Sequence, residues 1–181
     1  MAASEPPKSL LTAAELAAAP QVHVRHPFNP NSEVHLRSLG RPVGLKRLSL
    51  SLARVPPGRE SFIYHAHERD EEFVYILSGR GRAEIGVATI EVGPGDFMGF
   101  PTPSVGHHLI NPYDEDLVYL MGGEHSGLDI GHFPRIGKRV VFAEDRIYEV
   151  DDSGVRPMSF AEWLPEGLPP GMGESAGDGK E

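Results

Sequence analysis

The stretch that decides the fold runs from Gly58 to Gly79 and reads GRESFIYHAHERDEEFVYILSG. His65 and His67 lie two residues apart in a segment that we expect to be a strand, so their rings emerge on the same face. A short acidic bend follows, and Glu72 begins the next predicted strand, from which its carboxylate can return to the two imidazoles. Two histidines, this glutamate and a third histidine from elsewhere would form a mixed nitrogen and oxygen site for a divalent first-row metal.

The third histidine has two adjacent candidates, His107 and His108, in the stretch GDFMGFPTPSVGHHLIN. Strand alternation places His107, Leu109 and Asn111 on one face and His108 on the other, so only one of the two rings can join the site. The remaining histidines have no such pattern, and each taken alone is expected to be a surface or core imidazole. They are His23, His26, His35, His125 and His132.

Composition narrows both the fold and the function. The 181 residues fit one domain with tails, and 21 glycines with 17 prolines suit many short strands better than long helices. The absence of cysteine excludes disulfides, iron–sulfur clusters and thiol nucleophiles. A net charge of −9 argues against a nucleic-acid partner, because such proteins usually carry a basic face.

Alternating segments separated by glycine and proline predict about ten short strands in an antiparallel sandwich or small barrel. In the clearest of them, Leu48, Leu50 and Leu52 share one face, while Arg47, Ser49 and Ser51 share the other. The predicted strands are 33–38, 45–55, 61–67, 72–77, 82–86, 88–92, 97–100, 107–111, 116–121, 138–142 and 146–150. Phe62, Phe73, Phe97 and Phe100 are expected in the core, and Tyr64 and Tyr75 in packing or a subunit interface.

The flanks differ from this central part. We expect residues 1–32 to be an N-terminal arm with one short helix, because Thr12 and Glu15 have capping-box spacing and Pro20 ends the segment. Residues 33–150 would be the β-barrel domain. Residues 151–181 would be an acidic extension, mobile from about residue 164 because little there can be buried. The sequence has no stretch long and apolar enough for a membrane helix, so we expect a cytoplasmic protein without a membrane partner.

Two motifs in the chain resemble those of the cupin superfamily. The first is a glycine, an H-x-H pair, a glutamate and a second glycine, which Gly58, His65, His67, Glu72 and Gly79 match. The second is a glycine, a proline, a histidine and an asparagine, matched by Gly95, Pro101, His107 and Asn111. The spacing of the second motif favours His107 over His108. The flanks look like those of stand-alone bacterial cupins that carry the provisional label sugar-phosphate isomerase.

The resemblance implies an all-β jelly-roll (double-stranded β-helix) barrel. It also implies a metal site of His65, His67, Glu72 and His107 that holds one divalent ion per chain, of Fe, Mn, Zn or Ni. A homodimer is expected, with residues 21–40 packing across the interface. Asn111 is then either a residue that supports the ligands or a turn residue, and Arg47 either a contact for a substrate anion or a surface residue.

Two functions remain open from the sequence. The first is a metal-dependent enzyme, an isomerase, dioxygenase, decarboxylase or lyase, that acts on a small oxygenated compound such as a sugar derivative, keto acid or phenolic. The second is a non-catalytic cupin that binds a small metabolite or a metal for sensing or storage. The complete ligand set favours the enzyme, because a barrel does not need four such residues for packing alone.

Overall fold

The computed structural model describes residues 8–158, so most of the predicted acidic extension lies outside the described residues. Within them the chain forms one short α-helix, two single-turn 3₁₀ helices at Arg41–Val43 and Asp152–Gly154, and a series of strands. None of these helices is long and apolar enough to cross a membrane. The elements in chain order are α1 Ala13–Ala18, β1 Val22–Val24, β2 Val34–Ser38, β3 Leu48–Val55, β4 Ala66–His67, β5 Glu72–Ser78, β6 Gly81–Ile85, β7 Ala88–Val92, β8 Phe97–Phe100, β9 His107–Ile110, β10 Leu117–Glu124, β11 Leu128–Phe133, β12 Lys138–Ala143 and β13 Arg146–Asp151.

The predicted capping box starts α1. The Glu15 amide donates to the Thr12 hydroxyl at 3.3 Å, and the Thr12 amide donates to the Glu15 carboxylate at 2.8 Å. The helix ends at Ala18, ahead of Pro20, as the sequence indicates. The helix buries no residue, so its caps rather than tertiary packing define its ends.

The strands form three antiparallel sheets. The largest has the order β1-β2-β3-β10-β5-β8, the second β13-β12-β11-β4 and the third β7-β6-β9. Isolated bridges join His65 to His107 and Glu60 to Ile110, so the segment before β4 closes against β9. This arrangement is a jelly-roll barrel and confirms the predicted all-β fold with a short N-terminal helix.

The main core lies between the six-stranded and three-stranded sheets. Ala53 and Val55 of β3 are fully buried there and pack with Ile76 of β5 and Ala83 of β6. The leucines of β3 alternate with these inward residues, and Leu48 on the outer face is 55% exposed. The alternation predicted from the sequence is present, but the small residues, not the leucines, fill the core.

Some segments differ from the sequence expectation. The N-terminal arm contains a short strand, β1, in addition to the one short helix that we predicted there, and β11 was not predicted at all. The segment 61–67 is a strand only at Ala66–His67. The rest is irregular chain that is joined to β9 by backbone hydrogen bonds at Ser61 and His65. Aspartate and glycine within β11 weaken its strand pattern, so alternation alone does not reveal it.

The phenylalanines predicted for the core differ in their exposure, and strand alternation alone does not tell which of them are buried. Phe100 is buried in the core, whereas Phe97 is 66% exposed on the outer face of β8. The prediction that Phe97 belongs to the core is therefore wrong, because the side of β8 that carries Phe97 faces away from the barrel.

Gly79 in the first motif occupies a backbone position that suits only glycine. Its φ is +76°, and a Cβ added there would lie 2.1 Å from the carbonyl oxygen of Asp116. The neighbour is backbone at the start of β10, so it cannot swing aside as a side chain could. The turn from β5 to β6 can therefore approach β10 this closely only without a side chain.

We expect Gly79→Ala to lower the free energy of unfolding by about 3 kcal/mol, because it adds a backbone clash to the strain of a positive φ. Gly86→Ala is the matched control, since Gly86 has a φ of +58° but nothing within 4 Å of the added Cβ. That control should cost about 1 kcal/mol. Urea denaturation followed by circular dichroism measures both. Equal losses in the two variants would contradict the proposed close approach.

Candidate metal centre

The bridge between the chain before β4 and strand β9 brings two histidines together. The His107 amide donates to the His65 carbonyl at 2.8 Å, and the His65 amide donates to the His107 carbonyl at 3.1 Å. Residues directly opposite each other in an antiparallel pair place their side chains on the same face. The two imidazole centroids are accordingly 4.6 Å apart.

Glu72, the first residue of β5, is placed beside these two histidines by the pairing of β5 with β8. It pairs with Phe100 across β5 and β8, so the two side chains share a face, and Phe100 stacks on His107 with a centroid distance of 3.6 Å and an interplanar angle of 5°. His67 arrives from β4, which pairs with β11. Three separate strand pairings therefore position the four side chains predicted from the sequence.

The three imidazoles converge on one carboxylate oxygen of Glu72. The distance from Glu72 Oε2 is 3.6 Å to His65 Nε2, 3.4 Å to His67 Nε2 and 3.3 Å to His107 Nε2. The ligand atoms of His65, His67 and Glu72 lie within 4.8 Å of one another, and His107 joins the group through its short distance to Glu72.

The other ring nitrogen of each histidine has an acceptor. Nδ1 of His65 lies 2.6 Å from the Ile63 carbonyl, and Nδ1 of His107 lies 3.0 Å from the Val105 carbonyl. Nδ1 of His67 lies 2.5 Å from a carboxylate oxygen of Asp129. A carbonyl or carboxylate oxygen only accepts, so the protons are assigned to Nδ1 and the lone pairs to Nε2. Three imidazole lone pairs beside one carboxylate are donors that suit a first-row divalent cation.

The histidines beside Glu72 hold its carboxylate in the ionised form. Burial disfavours the ionised carboxylate, but the close contacts with His107 and His65 outweigh burial and hold the pKa of Glu72 well below its usual range. Burial lowers the pKa of His107, whereas at His65 the contact with the Glu72 carboxylate and its charge overcome burial and raise the pKa. An ionised Glu72 requires a positive charge beside it, which a proton on His65 or a bound metal ion can supply.

His108 points away from this group, as alternation predicts. Its two ring nitrogens lie 3.2 Å from Glu60 and 3.2 Å from Glu84, and it is 6% exposed. These contacts tie β9 to β6 and to the chain before β4. The preference for His107 over His108 therefore agrees with the geometry of the cluster.

Asp129 is a site residue that the sequence analysis missed. It is 3% exposed, and while one carboxylate oxygen faces His67, the other accepts from the amides of Arg69 and Asp70 at 3.0 and 3.3 Å. Both oxygens are thus used, and the carboxylate holds His67 in the orientation and tautomer that a metal requires. Asp129 lies on β11, the strand that was not predicted, so no motif spacing pointed to it.

An apolar cavity of about 520 Å³ opens beside the cluster. His65, His67 and Glu72 line one side of it, and aromatic and aliphatic residues of β11, β12, β13 and the N-terminal arm line the rest. We call this space the apolar cavity; its lining includes Phe28, Phe62, Phe133, Val140, Phe142 and Ile147. The volume lies in the range of small-molecule sites.

His26 is a second functional candidate that the sequence did not single out. It lines the apolar cavity from the N-terminal arm, and its ring lies edge-on to Phe133 with a centroid distance of 5.2 Å. Its Nδ1 accepts from the amide of Phe28 at 3.3 Å, which leaves an Nε2–H with no partner among the described residues. Its pKa is lowered, first by burial and then by His65.

The contacts of Asn111 and the position of Arg47 decide between the two roles that the sequence analysis left open for each residue. Asn111 is fully buried, and its amide donates to the carbonyls of Val55 and Glu115 at 2.9 and 2.8 Å, so it clamps the turn before β10. Arg47 is exposed and does not line the apolar cavity. The turn role of Asn111 and the surface role of Arg47 are therefore the ones the geometry supports.

Comparison with known families and structures places this site in context. A family model described as "Cupin domain" matches residues 51–123. The protein named "Putative sugar phosphate isomerase" from Acidithiobacillus ferrooxidans ATCC 23270 is 35% identical, with a TM-score of 0.80 over 84% of this chain and 97% of that one. No match was found among curated proteins.

Two more distant structures share the fold. A sugar phosphate isomerase from a cupin superfamily, from Silicibacter pomeroyi DSS-3, is 20% identical, with a TM-score of 0.67 over 77% of this chain and 93% of that one. The polyketide cyclase RemF from Streptomyces resistomycificus is 23% identical, with a TM-score of 0.53 over 64% and 80%. At these identities the likeness concerns the fold alone.

We expect Asp129→Asn to weaken metal affinity by about 10- to 100-fold, because the new NH2 group must face either the His67 Nδ1–H or two backbone amides, all of them donors. Competition with a chelating dye measures the affinity. Asp116→Asn is the control, an Asp to Asn change at a partly exposed residue paired with Arg54. An unchanged affinity in Asp129→Asn, with the fold intact by circular dichroism, would remove Asp129 from the site.

Proposed function

Because the chain belongs to the cupin superfamily, we propose that it is a metal-dependent enzyme acting on a small oxygenated organic compound. His65, His67, Glu72 and His107 would hold one divalent ion, of Fe, Mn, Zn or Ni. Such an ion, when bound, polarises a carbonyl or hydroxyl group, and iron can also activate oxygen. The reaction would be an isomerisation, a dioxygenation, or a decarboxylation or other lyase reaction.

One observation carries this proposal. Three histidine Nε2 atoms lie within 3.6 Å of one Glu72 oxygen, and all three Nδ1 atoms have acceptors that leave Nε2 free to bind a metal. A cluster that served only packing would not need every ring fixed in the same tautomer. The cluster also borders a cavity, so a substrate could reach a metal held there.

The chain's own residues have separate tasks in this proposal. Asp129 holds His67 in the metal-binding tautomer. Phe28, Phe133 and Phe142 give the apolar cavity walls that exclude water from the reacting group. His26 offers an Nε2–H that can donate a hydrogen bond to a substrate oxygen and so orient it.

A non-catalytic binding protein is the second candidate, and one observation favours it. Apart from the proposed ligands, the polar side chains lining the cavity are His26 and Glu149, which is a sparse set for acid–base chemistry. Turnover separates the two candidates. A binding protein would retain its metal and ligand without product, whereas an enzyme would convert the ligand.

The first test is the metal content of untagged protein purified without chelator, measured by elemental analysis. We expect about one divalent ion per chain, because the cluster offers one set of converging donors. The paired variant His65→Ala/His107→Ala should lose it, while His125→Ala, an exposed histidine outside the cluster, should keep it. Iron would direct assays to oxygen uptake, and manganese, nickel or zinc to isomerase and lyase substrates. Wild-type protein that takes up no metal even after reconstitution would refute the metalloenzyme.

We also propose that the chain forms a homodimer in which residues 21–40 take part. Strand β1 supports this, because it is the edge of the six-stranded sheet and its Val22 is 59% exposed. Light scattering after gel filtration should give twice the 19.7 kDa mass of one chain. A single-chain mass at every concentration up to about 100 μM, well above typical dimer dissociation constants, would contradict the dimer.

A further inference from the structure

The walls of the apolar cavity consist largely of rings and aliphatic chains. Ile63, Phe133 and Val140 form a small buried cluster, against which Phe28 and Phe142 pack. All five line the cavity. This second hydrophobic cluster therefore forms part of the cavity wall beside the proposed metal ligands. The cavity that it borders has a volume of about 520 Å³. An apolar cavity of about 150 Å³ is enough for benzene, so this one has room for a body of two or three fused rings.

Apart from the proposed metal ion, the described residues give the cavity no cation to receive a phosphate. None of the described residues that line it is a lysine or arginine, and Glu72 and Glu149 add negative charge. The nearby cation is Lys138, which lies over the Phe28 ring at 5.4 Å and is bound by Glu149 at 2.5 Å and by Asp151 at 2.7 Å. Two carboxylates thus already use this ammonium group. A phosphate dianion there would face carboxylates without a partner of opposite charge.

The cavity also has few hydrogen-bonding groups for a sugar. Besides the proposed ligands, only His26 and Glu149 among the described lining residues have polar side chains. Burial lowers the pKa of His26, so its imidazole is neutral and offers one donor instead of a positive charge. A sugar would bury several hydroxyl groups against rings, and each hydroxyl left without a partner costs binding free energy.

We propose that the substrate has a flat, apolar body of two or three rings that carries a metal-chelating oxygen group, and that it is not a phosphorylated sugar. The inference rests on the proposed function, since the chelating group needs the metal. The aromatic walls bind the body, the cluster of His65, His67, Glu72 and His107 binds the oxygen group through the ion, and His26 donates to an oxygen near it.

A matched pair of chelators tests the proposal. Acetohydroxamic acid and 2-naphthohydroxamic acid present the same oxygen pair and differ only in the apolar body. Calorimetric titration of the zinc-loaded full chain should show one site per chain for both. The naphthyl compound should bind at least about 30-fold more tightly, because it removes more apolar surface from water. Fructose 6-phosphate at millimolar concentration should displace neither compound.

Variants show whether the difference arises in the cavity. Phe142→Ala and, as a second variant, Phe28→Ala should each lower the naphthyl-to-methyl affinity ratio by roughly fivefold, because each removes a ring from the wall. Tyr148→Ala is the control: its ring is 49% exposed and lies on the opposite face of β13 from Ile147 and Glu149, which line the cavity. The ratio should not change in this control.

The outcomes separate this inference from the proposed function. Equal affinity for the two hydroxamates, a ratio unaffected by both phenylalanine variants, or displacement by fructose 6-phosphate would overturn the substrate class while leaving the metal site in place. A chain that neither retains zinc nor binds acetohydroxamic acid would refute the metal site itself, and the substrate proposal with it.

Discussion

The convergence of three imidazoles on the Glu72 carboxylate is the constraint on which the rest of the site depends. It requires β5, β8 and β9 and the chain before β4 to meet within a few ångströms, and the distances of 3.3–3.6 Å around Glu72 Oε2 show how closely they do. A half-buried carboxylate facing three rings is stabilised by a positive charge beside it. The strand pairings therefore bring donor atoms that suit a cation to one place, in addition to packing the barrel.

The members of the proposed ligand cluster could be named from the sequence because most of their signal is local. His65 and His67 share a strand face, Glu72 follows at a fixed spacing, and the resemblance to the second cupin motif selects His107 over His108. The structure brings the four side chains together. The jelly-roll fold followed from the same motifs and the regular spacing of short strands. These predictions depend on residues close together in the sequence. Among such residues, the two-residue period of a strand tells which side chains share a face.

The residues that the sequence did not reveal act across long separations. Asp129 contacts His67 over 62 positions, and β11, which carries it, contains the glycine and aspartate that weaken a strand pattern. His26 lies in the part of the arm after the predicted helix, where the sequence has no helix or strand pattern. The exposure of Phe97 depends on which side of β8 faces the barrel. In each case the deciding contact is made by a distant segment, so no local periodicity could report it.

The proposed ligands and the cavity walls come from different parts of the barrel, and for this reason the fold does not determine the substrate. The proposed ligands come from the pairings of β4, β5 and β9, whereas the cavity walls come mainly from β11, β12, β13 and the arm around Phe28. A change of a wall side chain on β12, β13 or the arm alters what the cavity admits without replacing a proposed ligand or Asp129, which orients His67. Likeness to a relative named for a sugar phosphate therefore speaks for the barrel, while the charge and shape of the cavity walls must decide the chemistry of what binds there.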